Sequence, residues 1–275
     1  EYNMRMRQGP VYVDLVEYPL ANVQSESDLS AFTLPDPHAK GRFRDAHNLV
    51  SKYKDDYFII GDIEVTIFTL VQQLVGMEKF LTDLMMEAEY LQPLLTMCTD
   101  FQIEIGKGLI DAGVDAFWVG DDFGTQTGLL LPNEIFESQL EPHYRRLVST
   151  LKQCNPQVVP MLHCDGAVRE LLPKISDIGF EVFNPVQPGV PGHLPQDMKD
   201  NFGDKFAFWG AVDQQDLLPN GTDEELERDI IEKISVLGKN GGYMIAPAHI
   251  LQNDVSPERV LKIIDLCKNH GVYDS

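Results

Sequence analysis

From about residue 58 onward, short apolar runs rich in Val, Ile and Phe alternate with longer stretches of helical periodicity, and no other feature restricts the fold so strongly. Consecutive parallel strands need a long crossover between them, and an amphipathic helix supplies one while covering a face of the sheet. The runs predict six strands, near residues 58–65, 116–121, 158–164, 181–186, 206–212 and 242–246. Polar or acidic side chains follow each of them within a few residues.

The stretches between carry helix signals. Leu94, Cys98, Phe101, Ile105 and Leu109 share one helical face, and Pro93 is expected to separate that helix from the one before it. Phe136, Leu140, Tyr144, Leu147 and Leu151 repeat the pattern, with Pro142 expected as a kink because the apolar face continues past it. A shorter helix is expected over Val168, Leu171, Leu172 and Ile175. Thr222 with Glu225 is a capping box for a helix whose apolar face is Leu226, Ile230, Ile234 and Leu237, ended by Gly238. That cap explains Thr222 better than glycosylation of Asn220-Gly221-Thr222 does. Ser256-Pro257 opens the last helix, with Val260, Ile263, Ile264 and Cys267 inward and Gly271 after its end.

Six βα units indicate an α/β fold of the TIM (β/α)8 barrel type, which closes with eight strands. Two are therefore unaccounted for. Either residues 1–57 supply them, for example through 9–18, or an N-terminal portion is missing; the lack of an initiator Met tilts the expectation to the second. Residues 19–48 read as a connecting segment ending in a helix. The expectation is one barrel domain over 1–275, with 1–57 as the N-terminal segment and 58–275 as six βα units.

Charge narrows the partners. The 22 Lys+Arg stand against 43 Asp+Glu, a formal net charge of −21, which repels nucleic acid and anionic membranes. No apolar run approaches the roughly 20 residues needed to span a bilayer, so a cytoplasmic protein without a membrane or nucleic-acid partner is expected. Cys98, Cys154, Cys164 and Cys267 form no C-x-x-C pair and are too scattered for a disulfide framework.

In a βα barrel the loops after the strands converge on one face, so polar residues at strand ends mark a site. Here they are Asp62 and Glu64, Asp121 and Asp122, His163 and Asp165, Asn184 and Gln187, Asp213 and Gln214, and His249. Any one of them could simply cap a following helix; six strand ends together point to a site. His163 and Asp165 fall on the same side of an extended strand, with Cys164 on the other. With a His from another strand they could hold zinc or another divalent ion; they could equally be a metal-free acid/base couple, or a buried His satisfied by its neighbour. Asp122-Phe123-Gly124 matches a kinase tripeptide by coincidence, since no H-R-D or Gly-rich nucleotide loop accompanies it. No G-x-S-x-G or H-E-x-x-H occurs.

The segments GDDFGTQTGLLLPNEIFESQLEPHYRRL, MLHCDGAVRELLPKISDIGFEVFNPVQPG, FAFWGAVDQQDLLPNGTDEE and GGYMIAPAHILQNDVSPERV resemble, in this order, the uroporphyrinogen decarboxylase superfamily, from about Pro19 to the end. The resemblance implies a βα barrel and one of two activities: decarboxylation of a porphyrinogen without cofactor, or zinc-dependent methyl transfer between a corrinoid and an acceptor such as a thiol. His249 matches the late histidine of the decarboxylases, but Asp122 replaces their serine, and their tyrosine falls near Gln72. Their N-terminal Asp/Arg motif has no match beyond Met6-Arg7-Gln8-Gly9. In the methyltransferases zinc is bound by His-x-Cys and a distant Cys; His163 matches the His, Asp165 stands for the first Cys and His249 stands near the second.

The implied metal set is thus His163, Asp165 and His249, with Glu64 or Asp122 as further candidates. The expected catalytic residues are His163, Asp165, His249 and Asp122, and the expected substrate-binding residues are Glu64, Asp121, Asn184, Gln187 and Asp213. A set containing oxygen suits polarising an ether or hydroxyl oxygen of a methyl donor. Methyl transfer leads, decarboxylation follows, and a barrel that binds a tetrapyrrole or corrinoid without turnover is the third reading. The implied cofactors are zinc and a corrinoid (cobalamin), the latter as substrate or on a partner protein; relatives imply a homodimer acting on a small-molecule substrate.

Overall fold

A computed structural model describes residues 2–9 and 13–272. They divide into two compact units, the first of residues 1–122 and 131–160 and the second of 123–130 and 161–275.

The first unit begins with β1 (Arg5–Gln8) and β2 (Val13–Glu17), which form a two-stranded antiparallel sheet of their own. Arg5 pairs with Glu17 at 2.7 Å and Arg7 with Asp14 at 3.5 Å, and both strands are largely exposed. Of the two alternatives for the missing strands, the one in which 9–18 supply them is not met, since β2 pairs with β1 in a sheet separate from the parallel one. Arg5 and Arg7 stand opposite Glu17 and Asp14 across an antiparallel ladder with a register shift between Arg5 and Met6, and only Leu15 of the two strands is even half-buried, so neither strand offers a face to a barrel core; residues 10–12 lie outside the described ones. The segment after the hairpin makes one 3-10 turn (Glu26–Ala31) and then α1 (Arg44–Tyr53), as its composition suggests.

The parallel sheet opens with β3 (Ile60–Asp62), followed by α2 (Phe68–Val75), α3 (Met77–Met85), α4 (Leu91–Ala112) and β4 (Ala116–Gly120). Ile60 stands opposite Ala116. Gly76 breaks the apolar run between α2 and α3 with φ 98°, where a side chain would strain the backbone. Pro93 does not separate helices as expected. It is the third residue of α4, where its missing N–H would have had no intrahelical partner anyway.

α5 (Asn133–Ile135) runs through a π turn (Phe136–Leu140) into α6 (Glu141–Cys154). The widened turn lies directly ahead of Pro142, so the chain stays helical past the proline. Phe136, Leu140, Tyr144, Leu147 and Leu151 are all buried. β5 (Val159–His163) starts here, with Val159 N donating to Asp115 O at 2.9 Å.

In the second unit the end of β5 pairs with β6 (Val182–Asn184), β6 with β7 (Ala207–Val212) and β7 with β8 (Tyr243–Pro247), all in parallel. A 3-10 turn (Arg169–Leu171) leads into α7 (Leu172–Ile178); α8 (Pro195–Phe202), α9 (Leu217–Asn220), α10 (Asp223–Leu237) and α11 (Pro257–His270) complete the helices. The order of the parallel strands follows the chain from β3 to β8. This is the TIM-barrel-like α/β arrangement that the alternation predicts, with six parallel strands among the described residues.

Both predicted caps form. Thr222 Oγ1 accepts from Glu225 N at 3.2 Å while Glu225 accepts from Thr222 N at 2.8 Å, and Ser256 Oγ accepts from Arg259 N at 3.2 Å. Val212, Leu218, Leu226, Ile230, Ile263 and Leu266 form one buried cluster. Ile264, expected inward, is 42 % exposed: it shares α11 with Ile263 but points 100° away from it. No described helix is long and apolar enough to cross a membrane.

Candidate active site

The second unit gathers three potential ligand groups. β5 ends at His163 and β6 at Asn184, and parallel register sets these two residues opposite each other. His163 Nδ1 lies 2.7 Å from Asn184 Oδ1 in a buried contact. The amide oxygen can only accept, so Nδ1 carries the proton and Nε2 presents its lone pair. Cys164 turns the other way, as alternation requires: its Sγ accepts from Phe123 N at 3.2 Å and its N donates to Asn184 O at 2.7 Å.

Asp165 follows, held by its neighbours' backbone. Gly166 N donates to Gln187 Oε1 at 2.7 Å and Ala167 N to Thr125 O at 2.8 Å. Gly124 permits this approach, since a Cβ there would stand 2.7 Å from Asp165 O. His249 comes from the loop after β8, where its backbone N donates to Gln214 Oε1 at 2.7 Å.

The side chains converge. Asp165 Oδ2 lies 3.9 Å from His163 Nε2 and 3.7 Å from His249 Nε2, and the two rings are 6.0 Å apart at 52°. The three atoms all fall within 4.8 Å of one another. The carboxylate is beyond hydrogen-bond reach of either ring. A tetrahedral zinc with ligands at about 2.0–2.1 Å would set them roughly 3.3 Å apart, a few tenths closer than the pairs about Asp165. Two imidazole nitrogens and a carboxylate oxygen are a donor set zinc takes in catalytic sites that keep a position open. His163 is buried, while the side chains of Asp165 and His249 are 33 % and 40 % exposed, so the cluster faces solvent on one side. The residues present fit a zinc ion.

The other predicted site residues fall in two groups. In the second unit, Asn184 is buried against His163, and buried Gln187 bridges Gly166 N and, at 3.3 Å, Gln126. Asp213 accepts from Gln215 N at 2.8 Å and Asp216 N at 3.3 Å, closing the turn into α9. In the first unit, Asp121 is 1 % exposed and accepts from Ile67 N at 2.8 Å, Thr69 N at 2.7 Å and Tyr144 Oη at 2.5 Å, which anchors the start of α2. Burial pushes its carboxyl up to about 6, and these hydrogen bonds offset part of that rise. Glu64 is exposed and lies over Gly120, where a Cβ would meet its Cγ at 2.3 Å; Asp122 is half-buried.

Sequence reasoning missed Tyr144, Gln126 and the orienting part of Asn184. Tyr144 reads as one more apolar residue of its helix, and only the register of β5 on β6 brings Asn184 to His163.

The family described as "Uroporphyrinogen decarboxylase (URO-D)" matches residues 12–270 of the chain. The chain is 22 % identical over 269 residues to the methylcobamide:CoM methyltransferase MtbA of Methanosarcina acetivorans, covering 96 % of this chain and 73 % of that protein. It is 26 % identical over 159 residues to the methylated-thiol–coenzyme M methyltransferase of Methanosarcina mazei, covering 58 % of this chain and 40 % of that one. Among solved structures, a methyltransferase from Methanosarcina mazei matches with a TM-score of 0.76 at 17 % identity, over 98 % of this chain and 77 % of that one. The B12-independent methionine synthase of Shewanella sp. W3-18-1, in complex with selenomethionine, matches with a TM-score of 0.58 at 13 % identity, over 98 % and 73 %. At these identities the structural likenesses establish the fold alone.

Proposed function

The chain belongs to the uroporphyrinogen decarboxylase family, and from that premise we propose that it is an enzyme transferring a methyl group between a corrinoid and a small molecule. The observation that carries this reading is the convergence of His163 Nε2, Asp165 Oδ2 and His249 Nε2 at the ends of parallel strands. Support comes from relatives named as methyltransferases of methylcobamide and of methylated thiols.

His163, Asp165 and His249 would hold the zinc, which when bound supplies a Lewis acid that polarises the heteroatom carrying or receiving the methyl group. His163 is the fixed member, because Asn184 holds its tautomer and ring plane. His249 is the most exposed of the three and would stand on the side of the ion that opens to solvent. Asp165, between the two rings, would supply the anionic ligand that offsets part of the charge of the ion. A carboxylate and two imidazoles make a harder set than thiolates, which favours a methyl group borne on oxygen. Gln187 and Asp213, in the same unit as the cluster, are assigned substrate contacts. Asn184 acts through His163, and Asp121 through the start of α2.

Zinc-loaded protein, incubated with methylcobalamin and thiol or hydroxyl acceptors, and with reduced cobalamin and methoxylated donors, is followed by the visible spectrum of the corrinoid. Methylation or demethylation should appear, together with a single zinc per chain that is lost in His163→Gln. An unchanged corrinoid across all donors and acceptors, with loss of carboxylates from uroporphyrinogen instead, would replace this reading by decarboxylation.

A further inference from the structure

Of the three converging residues, His249 is the least constrained at its ring. Asn184 holds the imidazole of His163, whereas among the described residues no side chain lies within hydrogen-bond reach of either ring nitrogen of His249. Its Nε2 therefore stands where the main chain puts it. The chain has by then left the sheet: β7 ends at Val212, and Ala248 N donates to Val212 O at 2.9 Å. The next N–H, that of His249, lies past the end of β7 and donates to a side chain instead, Gln214 Oε1 at 2.7 Å. Ile250, the residue after it, is already exposed to solvent.

Gln214 itself stands on a fixed base. Directly before it, Asp213 Oδ1 accepts from Gln215 N at 2.8 Å and Asp216 N at 3.3 Å, which closes the turn around Gln214. Further back, Gly210 and Ala211 take φ of 98° and 77° inside β7, and Tyr243 Oη donates to Gly210 O at 2.8 Å. A residue with a side chain keeps a positive φ only where its surroundings over-determine it, and Ala211 is fully buried. The main chain is thus held on both sides of Gln214, and a side chain on such a base can hold a neighbouring loop in turn.

We propose that Gln214 is a positioning residue for the metal centre: by accepting the N–H of His249 it holds the backbone from which Nε2 reaches the ion beside His163 and Asp165. The two histidines are then fixed in different ways, His163 through its ring by Asn184 and His249 through its main chain by Gln214. The inference rests on reading His163, Asp165 and His249 as a zinc site; it does not depend on the ion acting in methyl transfer. Gln214→Leu nearly keeps the volume and removes the acceptor, which leaves the His249 N–H to water and lets its ring leave ligand distance. Gln214→Glu keeps an acceptor at the same reach.

The test has two readouts on the full chain. Zinc affinity, measured by competition with a chromophoric chelator, should fall about ten-fold or more in Gln214→Leu, the range seen when an outer partner of a ligand is lost. Amide hydrogen exchange of the metal-free protein should show the His249 N–H exchanging about ten-fold faster in Gln214→Leu and at the wild-type rate in Gln214→Glu, while the Ala248 N–H, bonded to Val212 O, keeps its protection in both. Zinc affinity unchanged in Gln214→Leu, a His249 amide as protected as before, or an Ala248 amide that loosens along with it would overturn the proposal, the last because Gln214 would then support the fold generally. A wild type that binds no zinc overturns it too. A protein that binds zinc in this Gln214-dependent way yet moves no methyl group overturns the methyl-transfer reading and leaves this inference standing.

Discussion

Asn184 shows how one residue outside the ligand set governs it. Its amide oxygen fixes the proton of His163 on Nδ1, and loss of such an outer partner typically weakens metal affinity 10–100-fold. Asn184→Leu should therefore lower zinc affinity by that range, read by competition with a chromophoric chelator, while Asn184→Asp retains it or improves it. An unchanged affinity in Asn184→Leu would mean that the tautomer is set elsewhere. Asp121 makes a different prediction. Its folded value of about 6 exceeds the ordinary 3.8, so the folded state binds the proton more tightly than the unfolded one. Its contribution is thus most favourable below about pH 4 and declines as pH rises to 6, by about 3 kcal/mol in all. Urea unfolding at pH 4, 5, 6 and 7 should show this decline in the wild type relative to Asp121→Asn, and parallel curves would contradict it. The histidines and carboxylates of the site were legible because strand ends and i, i+2 spacing are local patterns. The work done by Asn184 and Tyr144 was not, because it depends on which strand or helix lies alongside.

At the scale of elements, caps proved readable where breaks inside apolar stretches did not. The capping box of α10 needs only Thr222 and Glu225 three residues apart, and both reciprocal bonds form. Thr222→Ala should cost about 1 kcal/mol by denaturant titration, with the slope unchanged, since one backbone donor loses its acceptor and nothing else moves. Gly76 is harder to see: it lies in the stretch between the first two predicted strands with no flanking signal of its own, and only φ 98° makes the glycine a boundary between α2 and α3. Gly76→Ala should cost roughly 1 kcal/mol or more, because alanine meets strain there even though the nearest side-chain atom, from Tyr18, would be 3.6 Å from its Cβ. A substitution that proves neutral would show that the backbone relaxes out of the left-handed region. Pro93 taught the same lesson in reverse, since a proline in a first turn costs a helix nothing and cannot by itself say where the helix begins.

For the molecule as a whole, six parallel strands in chain order follow from the alternation of periods, whereas the exposed β1–β2 hairpin and the division into two compact units rest on contacts that no local pattern encodes. The candidate site draws its ligands from segments far apart in the chain, the end of β5 and the loop after β8, so a bound ion is also a cross-link of the second unit. An ion that binds only the folded chain stabilises it by about 2.7 kcal/mol at a hundred times its dissociation constant. Zinc at that level should raise the unfolding midpoint of the chelator-stripped protein accordingly. A formal charge of −21 will attract any divalent cation to some extent, so the shift must be separated from general screening. His163→Gln makes that separation, because it removes a ligand nitrogen while leaving the formal charge, reckoned with His neutral, unchanged. If the variant gains as much from zinc as the wild type does, or if magnesium at equal ionic strength serves as well, the ion is bound by the overall field and His163, Asp165 and His249 do not form a metal centre.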